Sequence, residues 1–136
     1  TQKVINYFGN SGLNKKIGVL GLAFKPETDD MRDAPSIPVI RALYKNGFSI
    51  SAYDPKAENN TREILADLKI TYTENAYDVC LGADALLIIT EWNEFKQLDL
   101  EKVKNLMKKP VIFDGRNIYD PEKLKKLKIT YFSTGR

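Results

Sequence analysis

The stretch DALLIIT, Asp84–Thr90, is the most apolar run of the chain. It is far shorter than the ~20 residues of a membrane span, and its apolar residues do not alternate with polar ones. Such a run predicts a central parallel strand, because strands covered by helices on both faces are continuously hydrophobic. We therefore expect this strand to lie inside a sheet with helices on each side.

Shorter apolar runs lie on both sides of this strand and alternate with helical patterns. In residues 36–46, for example, Ile37, Ile40 and Leu43 recur at helical spacing, and Gly47 follows as a stop signal. The further predicted strands are 16–22, 48–54, 69–73, 110–114 and 128–133, and the further helices are 58–68, 74–83, 99–107 and 120–127. This alternation predicts an α/β fold, a doubly wound, mostly parallel Rossmann-like sheet of about six strands with helices on both faces.

The composition excludes several classes of site and partner. There is no histidine, so a His-based catalytic triad and a histidine-ligated zinc site are excluded, and we expect no metal site. Basic and acidic residues nearly balance at a net charge of +3, which predicts no nucleic-acid partner. No apolar run reaches the ~20 residues of a membrane span, so we expect no membrane partner.

Cys80 is the one cysteine of the chain, so no internal disulfide forms. A lone cysteine is typical of a reducing compartment, and we expect a cytoplasmic protein. Because Cys80 falls on the inner side of a predicted helix, we interpret it as a packed core thiol rather than a nucleophile.

The first residues have helical spacing, start with Thr1 rather than Met, and show no obvious N-cap. This pattern is typical of the cut end of a longer protein. We expect residues 1–13 to be the remnant of a preceding helix or linker, and residues 14–136 to form the domain.

The segments that follow the predicted strands are rich in charged and aromatic residues. In open α/β sheets, ligands bind beyond the carboxyl ends of the strands, so these segments are the candidate functional loops. They are AFKPETDDMRD (23–33), DPK (54–56), TEWNEF (90–95) and DGRNIYD (114–120).

Three cations stand in these loops: Lys25, Arg32 and Arg116. Together they are able to form an anion site for a phosphate, because arginine binds oxyanions bidentately and lysine acts as a point charge. The alternative is three independent cations, with Lys25 paired to Glu27 or Asp29. The acids before Arg32 also have a structural interpretation, in which they orient its guanidinium.

A standard dinucleotide site is not indicated. The segment 18–24, GVLGLAF, is similar to a dinucleotide fingerprint but lacks the tight glycine triplet, and a degenerate match is weak. Asp54 ends a predicted strand, where a ribose-binding acid would lie, but it follows Gly21 at more than the usual ~20 residues. Because Asp-Pro also starts turns, we interpret Asp54 as structural.

Beyond these patterns, the chain resembles the C-terminal, UDP-binding domain of the UDP-glucose/GDP-mannose dehydrogenase family. The resemblance covers residues 14–136. The residues of the first motif are most similar to those of the bacterial UDP-glucose 6-dehydrogenase branch. The resemblance is carried by GLAFKPETDDMRDAPS (21–36), AYDPK (52–56), ADALLIITEWNEF (83–95), VIFDGRNIYD (111–120) and ITYFSTGR (129–136).

The resemblance implies roles for four residues. Phe24 and Lys25 match a Phe-Lys pair that lines the sugar-nucleotide site, and Arg116 matches an arginine that contacts the substrate. Arg32 matches an arginine that reaches NAD held by another domain. The implied partners are a UDP-sugar and the N-terminal and central domains of the same protein, which is implied to be a homodimer.

The implied reaction is a two-step, NAD-dependent oxidation of the sugar C6 alcohol to a carboxylate through a catalytic cysteine. Nothing in the chain matches that cysteine motif or the NAD fingerprint, so we expect a domain that binds but contributes no catalytic residue. Three alternatives remain: a UDP-N-acetylhexosamine or GDP-mannose dehydrogenase domain, a stand-alone nucleotide-binding module, and a dimerisation module.

Overall fold

The computed structural model describes residues 1–134. Six parallel strands form one sheet in the order β3-β2-β1-β4-β5-β6. The strands are β1 (Lys16–Leu20), β2 (Ser49–Tyr53), β3 (Thr71–Tyr72), β4 (Ala85–Ile88), β5 (Val111–Asp114) and β6 (Thr130–Ser133). The predicted doubly wound sheet is confirmed. The last two residues of the predicted domain, Gly135 and Arg136, lie outside the described residues.

Seven helices surround this sheet within the described residues. They are α1 (Gln2–Tyr7), α2 (Ser36–Lys45), α3 (Glu58–Ile64), α4 (Ala76–Cys80), α5 (Asn93–Lys96), α6 (Leu100–Leu106) and α7 (Pro121–Lys126). α7 begins as predicted, with the Asp120 carboxylate accepting from the Glu122 amide and Pro121 in the first turn. Sequence reasoning did not predict α5, a single turn with no side-chain cap at its start.

The central strand β4 supplies side chains to two hydrophobic cores. Ala85 and Leu87 face the core that contains α1 and α2, whereas Leu86 and Ile88 face the core that contains α4, α6 and α7. This alternation explains the continuous apolar run in the sequence, since each face of the strand is covered by helices.

Cys80 lies in the second core and is fully buried. Desolvation raises the pKa of its thiol to about 12, so the thiolate is disfavoured at neutral pH. The prediction of a packed core thiol is confirmed.

The α1 helix is packed into the first core. Val4 and Ile5 are buried, and the Tyr7 ring makes edge contacts with Phe113 and Phe132 at 5.7 and 5.5 Å between centroids. Part of the segment predicted as a remnant therefore contributes to the fold of the domain. The predicted boundary at residue 13 stays a prediction.

Gly21 lets the first strand turn against its neighbour at the carboxyl edge. Its φ is +94°, in the left-handed region, and an added Cβ would lie 2.5 Å from the backbone nitrogen and Cβ of Thr90. Gly82 has a φ of +69° but open space around it. Both positions need a residue that tolerates a positive φ. Only at Gly21, of these two, would a side chain also collide with a neighbouring residue.

We expect Gly21→Ala to lower the free energy of unfolding by about 2–4 kcal/mol, because backbone strain adds to a contact with Thr90 that has no room to relax. The matched change Gly82→Ala should cost about 1 kcal/mol, from backbone strain alone. Urea unfolding followed by the fluorescence of the buried Trp92 measures both variants. Equal losses would show that the Gly21–Thr90 contact relaxes freely.

Candidate functional site

Four segments meet at the carboxyl edge of the sheet. β2, β1, β4 and β5 are neighbours in that order and run parallel, so the segments that follow them emerge side by side. This edge is where open α/β sheets bind ligands. The segments are the β2–α3 turn (54–57), the β1–α2 loop (21–35), the β4–α5 segment (89–92) and the β5–α7 loop (115–120).

The Asp54 carboxylate holds three of these segments together. Its Oδ2 accepts hydrogen bonds from the amides of Leu22 and Ala23 at 2.8 and 3.1 Å and from Trp92 Nε1 at 3.3 Å. Its Oδ1 accepts from the amides of Lys56 and Ala57, both at 2.9 Å. Asp54 is 3% exposed, so five donors compensate a buried charge. This role agrees with the structural interpretation of Asp54.

Three consecutive residues of the β4–α5 segment each contact a different one of the other three segments. Thr90 is fully buried, and its hydroxyl donates to the carbonyl of Ala23 at 2.7 Å. Trp92 is 5% exposed and donates to Asp54, while Glu91 between them contacts the β5–α7 loop. The segment therefore fixes the positions of the surrounding loops relative to one another.

A second buried carboxylate shapes the β5–α7 loop. Asp114 Oδ1 accepts from the Arg116 amide at 2.9 Å, and Oδ2 accepts from the Ile118 and Tyr119 amides and from the Tyr131 hydroxyl. Asn117, with φ +55°, bonds through its side chain to the backbone of Thr134. The loop that presents Arg116 is thus held at several points.

Arg116 forms an ion pair with Glu91. Its Nε donates to Glu91 Oε2 at 2.8 Å, and its Nη2 donates to the same oxygen. The Arg116 side chain is 38% exposed and the Glu91 side chain 26%. Sequence reasoning missed Glu91, because the signal depends on β4 and β5 being neighbours, and the order of strands was not predicted.

Phe24 and Lys25 project from the β1–α2 loop and are both exposed. The Phe24 amide donates to the carbonyl of Asp30 at 3.2 Å, while its ring is left half exposed. Within residues 1–134, Lys25 forms no ion pair with Glu27 or Asp29, so the predicted alternative pairing is absent there. Its charge is nevertheless felt by Asp30, because Lys25 adds to the hydrogen bonds from Arg32 that lower the pKa of that carboxyl.

Arg32 is held by Asp30 further along the same loop. The guanidinium donates to both oxygens of Asp30 through Nε and Nη2, and the Arg32 amide donates to Oδ1. Hydrogen bonding from Arg32 lowers the pKa of Asp30 to about 2. The acid orients the arginine, as one interpretation of the sequence proposed, and the Arg32 side chain remains 88% exposed.

Arg32 and Arg116 lie on opposite sides of the central strands. The part of the loop before Arg32 is tied to α3, because Asn60 Nδ2 donates to the carbonyl of Asp29 at 2.9 Å. A cleft of about 700 Å³ separates Arg32 from Glu63 and the exposed side chain of Ile64 on that helix. Arg116 instead follows β5, beyond β4. Phe24 and Lys25 thus lie on the loop that follows β1, Arg116 lies on the loop that follows β5, and Arg32 lines the cleft beside α3.

The β1–α2 loop does not fit a dinucleotide bound in the usual way. That mode uses the amides after the first strand to hold a pyrophosphate at a helix N-terminus. Here the Leu22 and Ala23 amides donate to Asp54, and the Ser36 hydroxyl at the start of α2 donates to the carbonyl of Leu22 at 2.6 Å. These backbone and side-chain donors are therefore already used within the domain.

Residues 18–121 match the UDP-glucose/GDP-mannose dehydrogenase family, UDP binding domain. The chain belongs to this family. The UDP-glucose 6-dehydrogenase of Rhizobium meliloti is 44% identical over 135 residues, which are 99% of this chain and 30% of that protein. The chain thus spans about 30% of the length of this curated relative.

Solved structures of family members share the fold. A UDP-glucose dehydrogenase from Pyrobaculum islandicum matches with a TM-score of 0.76 and 30% identity over 98% of this chain and 28% of that one. An NDP-N-acetyl-D-galactosaminuronic acid dehydrogenase from Methanosarcina mazei matches with a TM-score of 0.82 and 26% identity over 99% and 27% of the two chains.

The predicted family is confirmed, and the chain corresponds to its C-terminal, UDP-binding domain. The roles of Phe24, Lys25, Arg32 and Arg116 stay predictions, to which the structure adds their locations. In residues 1–134 no helix has the length and hydropathy to cross a membrane, and no group of three acidic or cysteine side chains is placed to hold a metal ion.

Asp54→Asn should lower the free energy of unfolding by about 3 kcal/mol, because the amide removes the buried charge and turns a donor toward other donors. Asp67→Asn is the matched control: Asp67 is exposed and pairs with Arg41 on the surface, so that change should leave stability nearly unaltered. Urea unfolding of both variants measures the difference. Two small and similar losses would contradict the organising role of Asp54.

Proposed function

We propose that this chain is the UDP-sugar-binding domain of an NAD-dependent UDP-glucose 6-dehydrogenase, and that by itself it binds the nucleotide sugar without oxidising it. The observation that carries the proposal is that Phe24 and Lys25 follow β1, and Arg116 follows β5, at the carboxyl edge of a domain that belongs to this family. The family's chemistry needs a reactive cysteine thiolate. Cys80 is buried with a raised pKa, which supports a role confined to binding.

The geometry supports a division of tasks among the three residues. Lys25 offers an exposed positive charge on a flexible stem, suited to a diphosphate as a point charge. Arg116 offers a fixed guanidinium, suited to directional hydrogen bonds with the same ligand. The half-exposed Phe24 ring supplies an apolar surface beside them. Together these side chains bind and orient the ligand at the strand ends.

UDP-glucose is the proposed sugar nucleotide because of the similarity among relatives. The relative named for UDP-glucose is 44% identical over nearly the whole chain, whereas the one named for an N-acetylated galactosaminuronic acid is 26% identical. NAD is proposed to be held by another domain, with Arg32 reaching toward it. The homodimer, the N-terminal and central domains as partners, and the cytoplasmic location remain predictions.

In the full-length protein, Arg116→Ala should weaken UDP-glucose binding roughly ten- to a hundredfold, since a charge-assisted hydrogen bond contributes about 1.5–3 kcal/mol. The free energy of unfolding should fall by about 1 kcal/mol or less, because the pair with Glu91 is partly exposed. Calorimetric titration without NAD measures the first quantity, and urea unfolding measures the second.

Arg41→Ala is the control for this experiment. Arg41 lies within α2 and forms a comparable surface ion pair with Asp67, so its loss should leave UDP-glucose affinity unchanged. If Arg116→Ala also leaves affinity unchanged while the melting temperature drops by many degrees, Arg116 is structural and the proposed substrate role is wrong.

Arg32→Ala should raise the Michaelis constant for NAD more than that for UDP-glucose in the full-length protein. The physical reason is that its exposed guanidinium, fixed by Asp30, lies apart from the Arg116 loop and is directed outward. Steady-state kinetics with each substrate varied in turn measures both constants. An equal rise in the two constants would identify Arg32 as an organiser of the loop and remove it from the proposed cofactor contacts.

A further inference from the structure

Arg116 has two donor edges, and the structure uses one of them. A guanidinium can donate side-on through Nε and Nη2, or end-on through Nη1 and Nη2. Glu91 Oε2 accepts both side-on hydrogen bonds. Within residues 1–134, Nη1 has no hydrogen-bond partner. The end-on edge is therefore available to a ligand oxyanion.

We infer that Glu91 is a positioning residue for the nucleotide sugar: it fixes the side-on edge of Arg116 so that the end-on edge faces the ligand. This inference rests on the proposed function, because it assumes that Arg116 contacts the substrate. A flexible arginine loses side-chain entropy when it becomes ordered on binding a ligand. An arginine already held by Glu91 avoids much of that cost, which favours ligand binding. Glu91 sets the orientation of Arg116 before the ligand arrives.

The backbone of Glu91 is fixed by its neighbours rather than by its own carboxylate. Thr90 and Trp92 are buried on either side, one bonded to the carbonyl of Ala23 and the other to the carboxylate of Asp54. The Glu91 side chain therefore extends from a rigid point toward the next loop. Arg116 is equally fixed at its backbone, because its amide donates to Asp114. Two rigid anchors make the orientation of the pair reproducible.

The second oxygen of Glu91 indicates that the pair is not present for stability alone. Oε1 is buried and accepts no hydrogen bond from the residues that the structure describes. An unsatisfied buried acceptor destabilises a fold, and such costs concentrate at functional sites. Among the described residues, the Glu91 carboxylate accepts hydrogen bonds from Arg116 alone.

A double-mutant cycle in the full-length protein tests the inference, with UDP-glucose titrated calorimetrically in the absence of NAD. Glu91→Ala should weaken binding roughly tenfold, and Glu91→Gln should weaken it less, because a neutral oxygen still accepts a hydrogen bond. In the Arg116→Ala background, Glu91→Ala should cause no further loss, because there is no guanidinium left to position. Glu101→Gln, which removes an exposed carboxylate from the first turn of α6, is the control and should bind normally.

Kinetics supply a readout that a purely structural role would not move. Glu91→Ala should raise the Michaelis constant for UDP-glucose and leave that for NAD unchanged. Glu91→Gln keeps nearly the same shape and provides a folded variant for this comparison if Glu91→Ala melts too low to measure.

The outcomes separate this inference from the proposed function. Weaker binding by Arg116→Ala with normal binding by both Glu91 variants would overturn the positioning role and leave the substrate role of Arg116 intact. Tighter binding by Glu91→Ala would overturn it too, by showing that the pair holds Arg116 away from the ligand. Additive losses in the double variant would show that Glu91 acts independently of Arg116. Normal binding by Arg116→Ala would remove the basis of both.

Discussion

The carboxylate of Asp54 is the constraint on which the carboxyl edge of the sheet depends. It is buried and accepts five N–H hydrogen bonds, from the β1–α2 loop, its own turn and Trp92. A buried charge needs such donors to offset its desolvation, so the loops cannot move apart without exposing it unpaired. Through Trp92 this constraint extends to Glu91, and from Glu91 to Arg116.

This use of backbone amides separates the domain from a dinucleotide-binding relative of the same topology. The strand order is that of a dinucleotide fold, yet the amides after β1 serve Asp54 and those after β5 serve Asp114. With these amides occupied internally, long cationic side chains are the groups left to bind an anion. Lys25 after β1 and Arg116 after β5 are the side chains that we propose for this task, in a chain that matches a family's UDP binding domain.

Some features of the candidate site follow from local sequence and others do not. A short acid two residues before an arginine predicts a local hydrogen bond, and Asp30 indeed holds Arg32. Glu91 and Arg116 are 25 residues apart in the chain, and no local rule connects them. The α5 turn was missed for a related reason. Its one turn has no capping side chain, and the burial of Phe95 in the second core accompanies it instead.

The sequence by itself determined the fold class, the alternation of elements and the loops that carry the candidate ligand-binding side chains. It did so because periodicity, caps and apolar runs are properties of neighbouring residues, and because the motifs of a family persist in the chain. Only the tertiary structure decided which loops meet, which charges are compensated and which donor edge of Arg116 is free. Those properties depend on strand order and burial, which bring together residues such as Ala23 and Thr90 that are 67 positions apart.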